Sequence, residues 1–200
     1  MFLFHSKQWA DDLKLMGHRA KLRFVNGFAL FTSEKYVETF STPKETIAEK
    51  ERITLYYFAP KKPVKKYRPT LFIPPLMTPA YVYDLRKGHS FIEYMLSQGR
   101  SIYLLDFGNP SEDEANIQLD SYLYEAVEYA IDKTLQHSQS EKINLIGYSM
   151  GGIFTYLYTG VFGAKNISAI ITLGSPVDFS KIWLFSFLVR ILGRRVGHFS

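Results

Sequence analysis

One junction limits what this chain can fold into more than any other. The apolar run Ile143-Asn144-Leu145-Ile146 has strand length and passes directly into Gly147-Tyr148-Ser149-Met150-Gly151-Gly152. From Met150 to about Thr159 apolar residues fall on all sides of a helix, which predicts a buried helix. A strand that turns into a helix this abruptly brings backbones into contact, and glycine is the residue that permits it. The pattern G-x-S-x-G in that setting is a nucleophile elbow: the turn strains the serine backbone and aims its hydroxyl into the open. Gly147 and Gly151 are then required, because a side chain at either would collide with the neighbouring strand or helix. The helix amino terminus beneath Ser149 favours developing negative charge, so Ser149 is the candidate nucleophile.

The rest of the chain alternates strands with helices. Ile53, Leu55 and Tyr57 alternate with Thr54 and Tyr56 as in a strand. Thr70–Ile73, Ile102–Leu105 and Ala169–Leu173 are short apolar strands, the last stopped by Gly174-Ser175-Pro176. Ser90-Phe91-Ile92-Glu93 is a capping box, with hydroxyl and carboxylate each satisfying a free amide, and its helix stops at Gly99. Leu119, Leu123, Val127, Ala130, Ile131 and Leu135 share one face of a long helix. Continuously apolar inner strands predict an α/β fold, a mostly parallel sheet with helices on both faces and function at the carboxyl ends of the strands.

Composition supports a single globular domain: 200 residues, 46% hydrophobic and 22% charged. With no cysteine, a disulfide scaffold, a thiolate metal site and a cysteine nucleophile are excluded, and no metal site or bound cofactor is predicted. A net charge of +5 is too diffuse to argue for nucleic acid. Met1–Phe4 is stopped by His5, Ser6 and Lys7, short of the roughly 7–15 apolar residues of a secretory signal. Ile182–Val189 falls short of the about 20 residues of a membrane span, which predicts a soluble, cytoplasmic chain.

An oxyanion hole needs two amides. Met150, directly after the serine, supplies one. The second must come from Leu76 or Met77, since Pro74 and Pro75 have no N–H to give. After Ser149 the acid is Asp178 and the histidine His198; their order suits a triad, but no strand is evident between them, so the pair is a weak candidate. His5, His18, His89 and His137 precede the serine and read as surface or capping residues. The basic loop Lys61–Arg68 reads as a solvated surface, with attraction of an anionic acyl-CoA as the alternative. The apolar segment 181–200 reads as the start of a lid, a lipid-contacting helix or a helix without its packing partner.

Several of these motifs, taken together, resemble the polyhydroxyalkanoate synthases. They are Pro74-Pro75-Leu76-Met77, Tyr81-Val82-Tyr83-Asp84-Leu85-Arg86, Ile102–Gly108, Leu119-Asp120-Ser121-Tyr122, Asn144–Tyr148 and Ser175–Phe179, with Thr42–Glu45 upstream. The resemblance implies an α/β-hydrolase core over 46–180, preceded by a segment 1–45, that transfers hydroxyacyl groups from coenzyme A to a growing polyester. It also implies a polyester granule or lipid surface as partner, and a homodimer. The family nucleophile is a cysteine, where this chain has Ser149, and a serine suits ester hydrolysis better. The family's catalytic Asp and His lie beyond the Pro176–Phe179 motif, and this sequence runs only 51 residues past Ser149, so a shortened copy with little turnover is expected. Three functions follow: an acyltransferase of the synthase type, a serine esterase, lipase or depolymerase, and a non-catalytic granule-associated protein.

Overall fold

A computed structural model describes residues 39–76, 78–109 and 118–178, together with Lys21. The 181–200 segment and most of 1–45 lie outside them. The sheet has six strands: β1 (Glu45–Lys50), β2 (Ile53–Phe58), β3 (Thr70–Ile73), β4 (Ile102–Asp106), β5 (Ile143–Tyr148) and β6 (Ile167–Leu173). Their order is β1-β2-β4-β3-β5-β6. The pairings β4–β3, β3–β5 and β5–β6 are parallel, as the α/β pattern predicts. The pairings β1–β2 and β2–β4 are antiparallel. Only Glu51 and Arg52 separate β1 from β2, with Glu51 at φ 54°, and so short a hairpin cannot return a strand in parallel.

Three helices connect the parallel strands: α1 (Phe91–Ser97), α2 (running through Leu119–Ser121, Tyr122–Val127 and Glu128–Ser138) and α3 (Met150–Phe162). Alternate residues of the strands feed two cores on opposite faces. Leu71, Ile73, Tyr103, Leu105 and Leu145 pack on the side of α2 and α3, while Phe72, Ile102, Leu104 and Ile146 pack on the side of α1. Every residue of β3 is therefore buried, which is why Leu71, Phe72 and Ile73 are apolar in succession.

The helix ends follow local chemistry. Ser90 Oγ accepts from the Glu93 N–H at 3.0 Å. Glu93 reaches the N–H of Gly88, at 2.7 Å, two residues earlier than a capping box would have it, because the turn at Gly88 (φ 76°) presents that amide. Gly99, at φ 78°, ends the turn after α1.

Two expectations are corrected. The six residues Tyr122–Val127 of α2 are wound as π-helix. A wider turn shifts the phase of everything before it, so Leu119 leaves the apolar face and is exposed, while Leu123, Val127, Ala130 and Ile131 stay buried. Helix α3 buries Gly151, Gly152, Phe154, Thr155 and Tyr158 but exposes Tyr156, Leu157, Val161 and Phe162, since the sheet covers one side of it. Ile171 and Leu173 of β6, the edge strand among the described residues, are also exposed.

A polar lock holds the approach to β1. Asp84 is fully buried, and its carboxyl oxygens accept from the Thr42 N–H at 2.9 Å and the Thr42 hydroxyl at 2.8 Å. The Asp84 carbonyl accepts from the Phe40 N–H at 2.8 Å. Asp84→Ala removes both side-chain bonds and strands a buried amide, so urea unfolding is expected to show a loss of about 3 kcal/mol.

Candidate active site

Ser149 stands where β5 ends and α3 begins, with φ 52° and ψ −118°. This is a costly conformation for a residue with a side chain. Its neighbours hold it there. The Ser149 N–H donates to the Leu173 carbonyl at 2.8 Å, tying the turn to β6, and the Ser149 carbonyl accepts from the Gly152 N–H at 3.0 Å. A serine at a helix N-cap ordinarily spends its hydroxyl on the amides of the first turn. At this backbone angle Ser149 makes no such capping bond, so the hydroxyl is not consumed by the helix. No acidic residue sits in the first turn of α3 to oppose the positive end of the helix dipole.

The glycines explain the turn. A Cβ on Gly147 would lie 2.5 Å from the Gly151 carbonyl and from the Gly152 α-carbon. One on Gly151 would collide with the Ile73 carbonyl oxygen and approach the Pro74 carbonyl oxygen to 2.7 Å. Gly152 carries a constraint the pattern G-x-S-x-G does not include: its Cβ would run into the Ser175 side chain.

Ile73 pairs with Gly147, so the loop that leaves β3 at Pro74 starts beside the Ser149 turn. Leu76 lies in that loop, half-buried against the core of α2 and α3, at the same end of the sheet as Met150. Met77 lies outside the described residues. Between the loops after β3 and β4 opens a cleft of about 430 Å³, whose lining includes Pro75, Leu76, Thr78, Asp106, Phe107 and Asn109.

Sequence reasoning passed over Tyr83. Its ring is buried and stacked on Phe72, with centroids 4.7 Å apart, and its hydroxyl donates to the Ile73 carbonyl at 3.0 Å. Burial pushes the Tyr83 phenol far above the ordinary 10.0.

Of the candidate acid and base, only the acid falls among the described residues. Asp178 is exposed at the end of the described residues, and His198, like His5 and His18, lies outside them. His137 is at the other end of the sheet, where its Nδ1 is 2.8 Å from the Tyr103 hydroxyl. His89 is exposed in a turn closed by its own N–H on the Arg86 carbonyl. Among the described residues, no group of three or more Asp, Glu or His could hold a metal ion, and no helix is long and apolar enough to cross a membrane.

A family model for the alpha/beta hydrolase fold matches residues 79–189. The poly(3-hydroxyalkanoate) polymerase subunit PhaC of Synechocystis sp. is 32% identical over 149 residues, covering 74% of this chain and 39% of that protein. The poly(3-hydroxyalkanoate) polymerase of Methylorubrum extorquens is 29% identical over 177 residues, covering 87% of this chain and 29% of its own. This chain thus spans well under half the length of either. Among solved structures, the Francisella virulence factor BioJ superposes with a TM-score of 0.53 at 21% identity, over 72% of this chain and 47% of that one.

Gly151→Ala is expected to cost about 1–3 kcal/mol in urea unfolding, since its Cβ meets backbone that cannot step aside. Tyr83 and Tyr103 both have phenols raised by burial. The folded state therefore keeps them protonated while the unfolded chain ionises. Their contribution is complete below about pH 10 and is lost as pH rises above it, so unfolding free energy should fall on that side in an alkaline titration.

Proposed function

We propose that this chain, which belongs to the alpha/beta hydrolase fold family, is an acyl-transfer enzyme that works through an ester at Ser149. The observation that carries this is the serine turn itself: φ 52° at a strand-to-helix junction, with the hydroxyl left out of the helix cap. The similarity to poly(3-hydroxyalkanoate) polymerases supports a hydroxyacyl thioester of coenzyme A as the donor. The Ser149 oxygen attacks the acyl carbonyl carbon and its proton passes to a base. The carbonyl oxygen becomes an oxyanion facing the amides of Met150 and of Leu76 or Met77. The C–S bond then breaks, the thiolate leaves and takes up a proton, and an alcohol or water attacks the serine ester in turn. An alcohol on a growing chain makes polyester, at a granule surface and in a homodimer. Water makes a free hydroxy acid.

His137 is bonded to Tyr103 at the far end of the sheet, away from Ser149; chain order alone favours His198 with Asp178 as base and acid. A serine esterase or depolymerase is the second reading. It is favoured by the side chain at the turn, because a hydroxyl is a poorer leaving group than a thiol and suits hydrolysis better than repeated exchange.

The full chain is treated with a fluorescent fluorophosphonate and then with a hydroxyacyl-CoA. Labelling is expected in the wild type and none in Ser149→Ala. Polymer as the product assigns synthesis, and free hydroxy acid assigns hydrolysis. A wild-type chain that takes no label, or a Ser149→Ala chain that still does, overturns the proposal.

A further inference from the structure

We infer that Tyr83 is a positioning residue for the candidate oxyanion hole, holding the end of β3 against the start of α3 through its buried hydroxyl. The inference rests on the acyl-transfer reading of Ser149. The two amides assigned to the oxyanion come from different strands: Met150 follows β5, and Leu76 follows β3. Their spacing is set by how those two strands end. β3 and β5 are paired up to Ile73 and Gly147, and beyond that point the ladder stops. Pro74 and Pro75 follow Ile73, so the next two residues of the loop can donate nothing across the gap.

Tyr83 acts at this point. It reaches in from the turn Ala80–Tyr83 and donates to the carbonyl of Ile73 at 3.0 Å. One hydroxyl thus holds the last residue before the proline loop, which is paired with Gly147, two residues before the serine. The same Ile73 carbonyl is the atom that a side chain on Gly151 would strike, so it lies against the first turn of α3 as well. The turn that carries Tyr83 is itself fixed: Asp84, the next residue, is locked to Thr42 and Phe40. The ring needs only apolar packing and has it from Phe72. The hydroxyl is what packing does not explain.

Removing the hydroxyl leaves a buried carbonyl without this donor and frees the proline loop to move relative to α3. A small displacement is enough to weaken a bond to an oxyanion, whose donors must lie at about 2.7–3.1 Å. Binding of the acyl group, which depends on the cleft walls, would change little.

The test compares the full wild-type chain with Tyr83→Phe and Phe72→Leu, using an alkyl fluorophosphonate and measuring the maximal inactivation rate separately from the half-saturating concentration. Tyr83→Phe is expected to lower the maximal rate about tenfold and leave half-saturation unchanged. Phe72→Leu disturbs the stack but keeps the hydroxyl, so it should lower the melting temperature and leave the maximal rate near wild type. A Tyr83→Phe rate within twofold of wild type overturns the inference while the role of Ser149 stands. A Tyr83→Phe chain that cannot fold also overturns it, because the hydroxyl would then be holding the fold rather than the loop. A wild-type chain that is not inactivated at all overturns both this and the acyl-transfer reading.

Discussion

The backbones of β3, β5 and α3 meet with no room for a side chain at Gly147 or Gly151, and the rest of the structure is arranged around that contact. Helix α3 starts close above the sheet because Gly151 lets it rest on the last carbonyls of β3. Strand β5 can run under it because Gly147 is bare on that side. Ser149 is left to absorb the change of direction, with a left-handed φ that costs of order 1–3 kcal/mol. The cost is met by the cores on either side. Leu145, Phe154 and Ile146 are buried at the two faces of the same junction, and the Leu173 carbonyl fixes the Ser149 amide from β6. Strain persists at this residue because everything around it is over-determined.

Much of the sheet was legible because burial on both faces leaves a simple trace. β3 is Thr70–Ile73 and β4 is Ile102–Asp106, as the apolar runs and their polar terminators indicate. β1 was not legible as a strand. Its sequence Glu-Thr-Ile-Ala-Glu-Lys is that of an exposed edge, with only Ile47 and Ala48 packed on the core, and charged edges are how sheets avoid pairing with neighbours. The π-helical stretch in α2 was equally hidden. Periodicity assumes 3.6 residues per turn throughout, whereas Tyr122 stands in the wider turn and faces Phe107 and Phe154 from it.

At the candidate site, sequence reasoning succeeded where sterics force a residue type and failed where a tertiary contact supplies the reason. Gly147 and Gly151 announce themselves, since nothing else fits. Gly152 needs knowledge of where Ser175 returns from β6, a contact 23 residues away in the chain. Tyr83 is more distant still from any local rule. In the sequence it is one of 14 tyrosines, and only the fold brings its hydroxyl to the end of β3. The Glu93 side chain shows the same limit on a smaller scale. A capping box was readable, but the choice of Gly88 as its amide depended on a glycine turn before the helix.

The identity of the side chain at the turn decides how much the rest of the site must do. A thiol at a helix amino terminus loses its proton near neutral pH with modest help, and the thiolate is already the attacking species. A hydroxyl in the same place stays protonated, so the dipole of α3 can stabilise an oxyanion but cannot create the nucleophile. The backbone of this elbow serves either atom equally well. It presents the side chain and keeps it out of the helix cap. What a serine adds is the demand for a proton acceptor aligned with its hydroxyl, and that demand falls on residues outside the β3–β5–α3 contact. The geometry that strains Ser149 and the chemistry that a serine nucleophile would require are therefore separate problems.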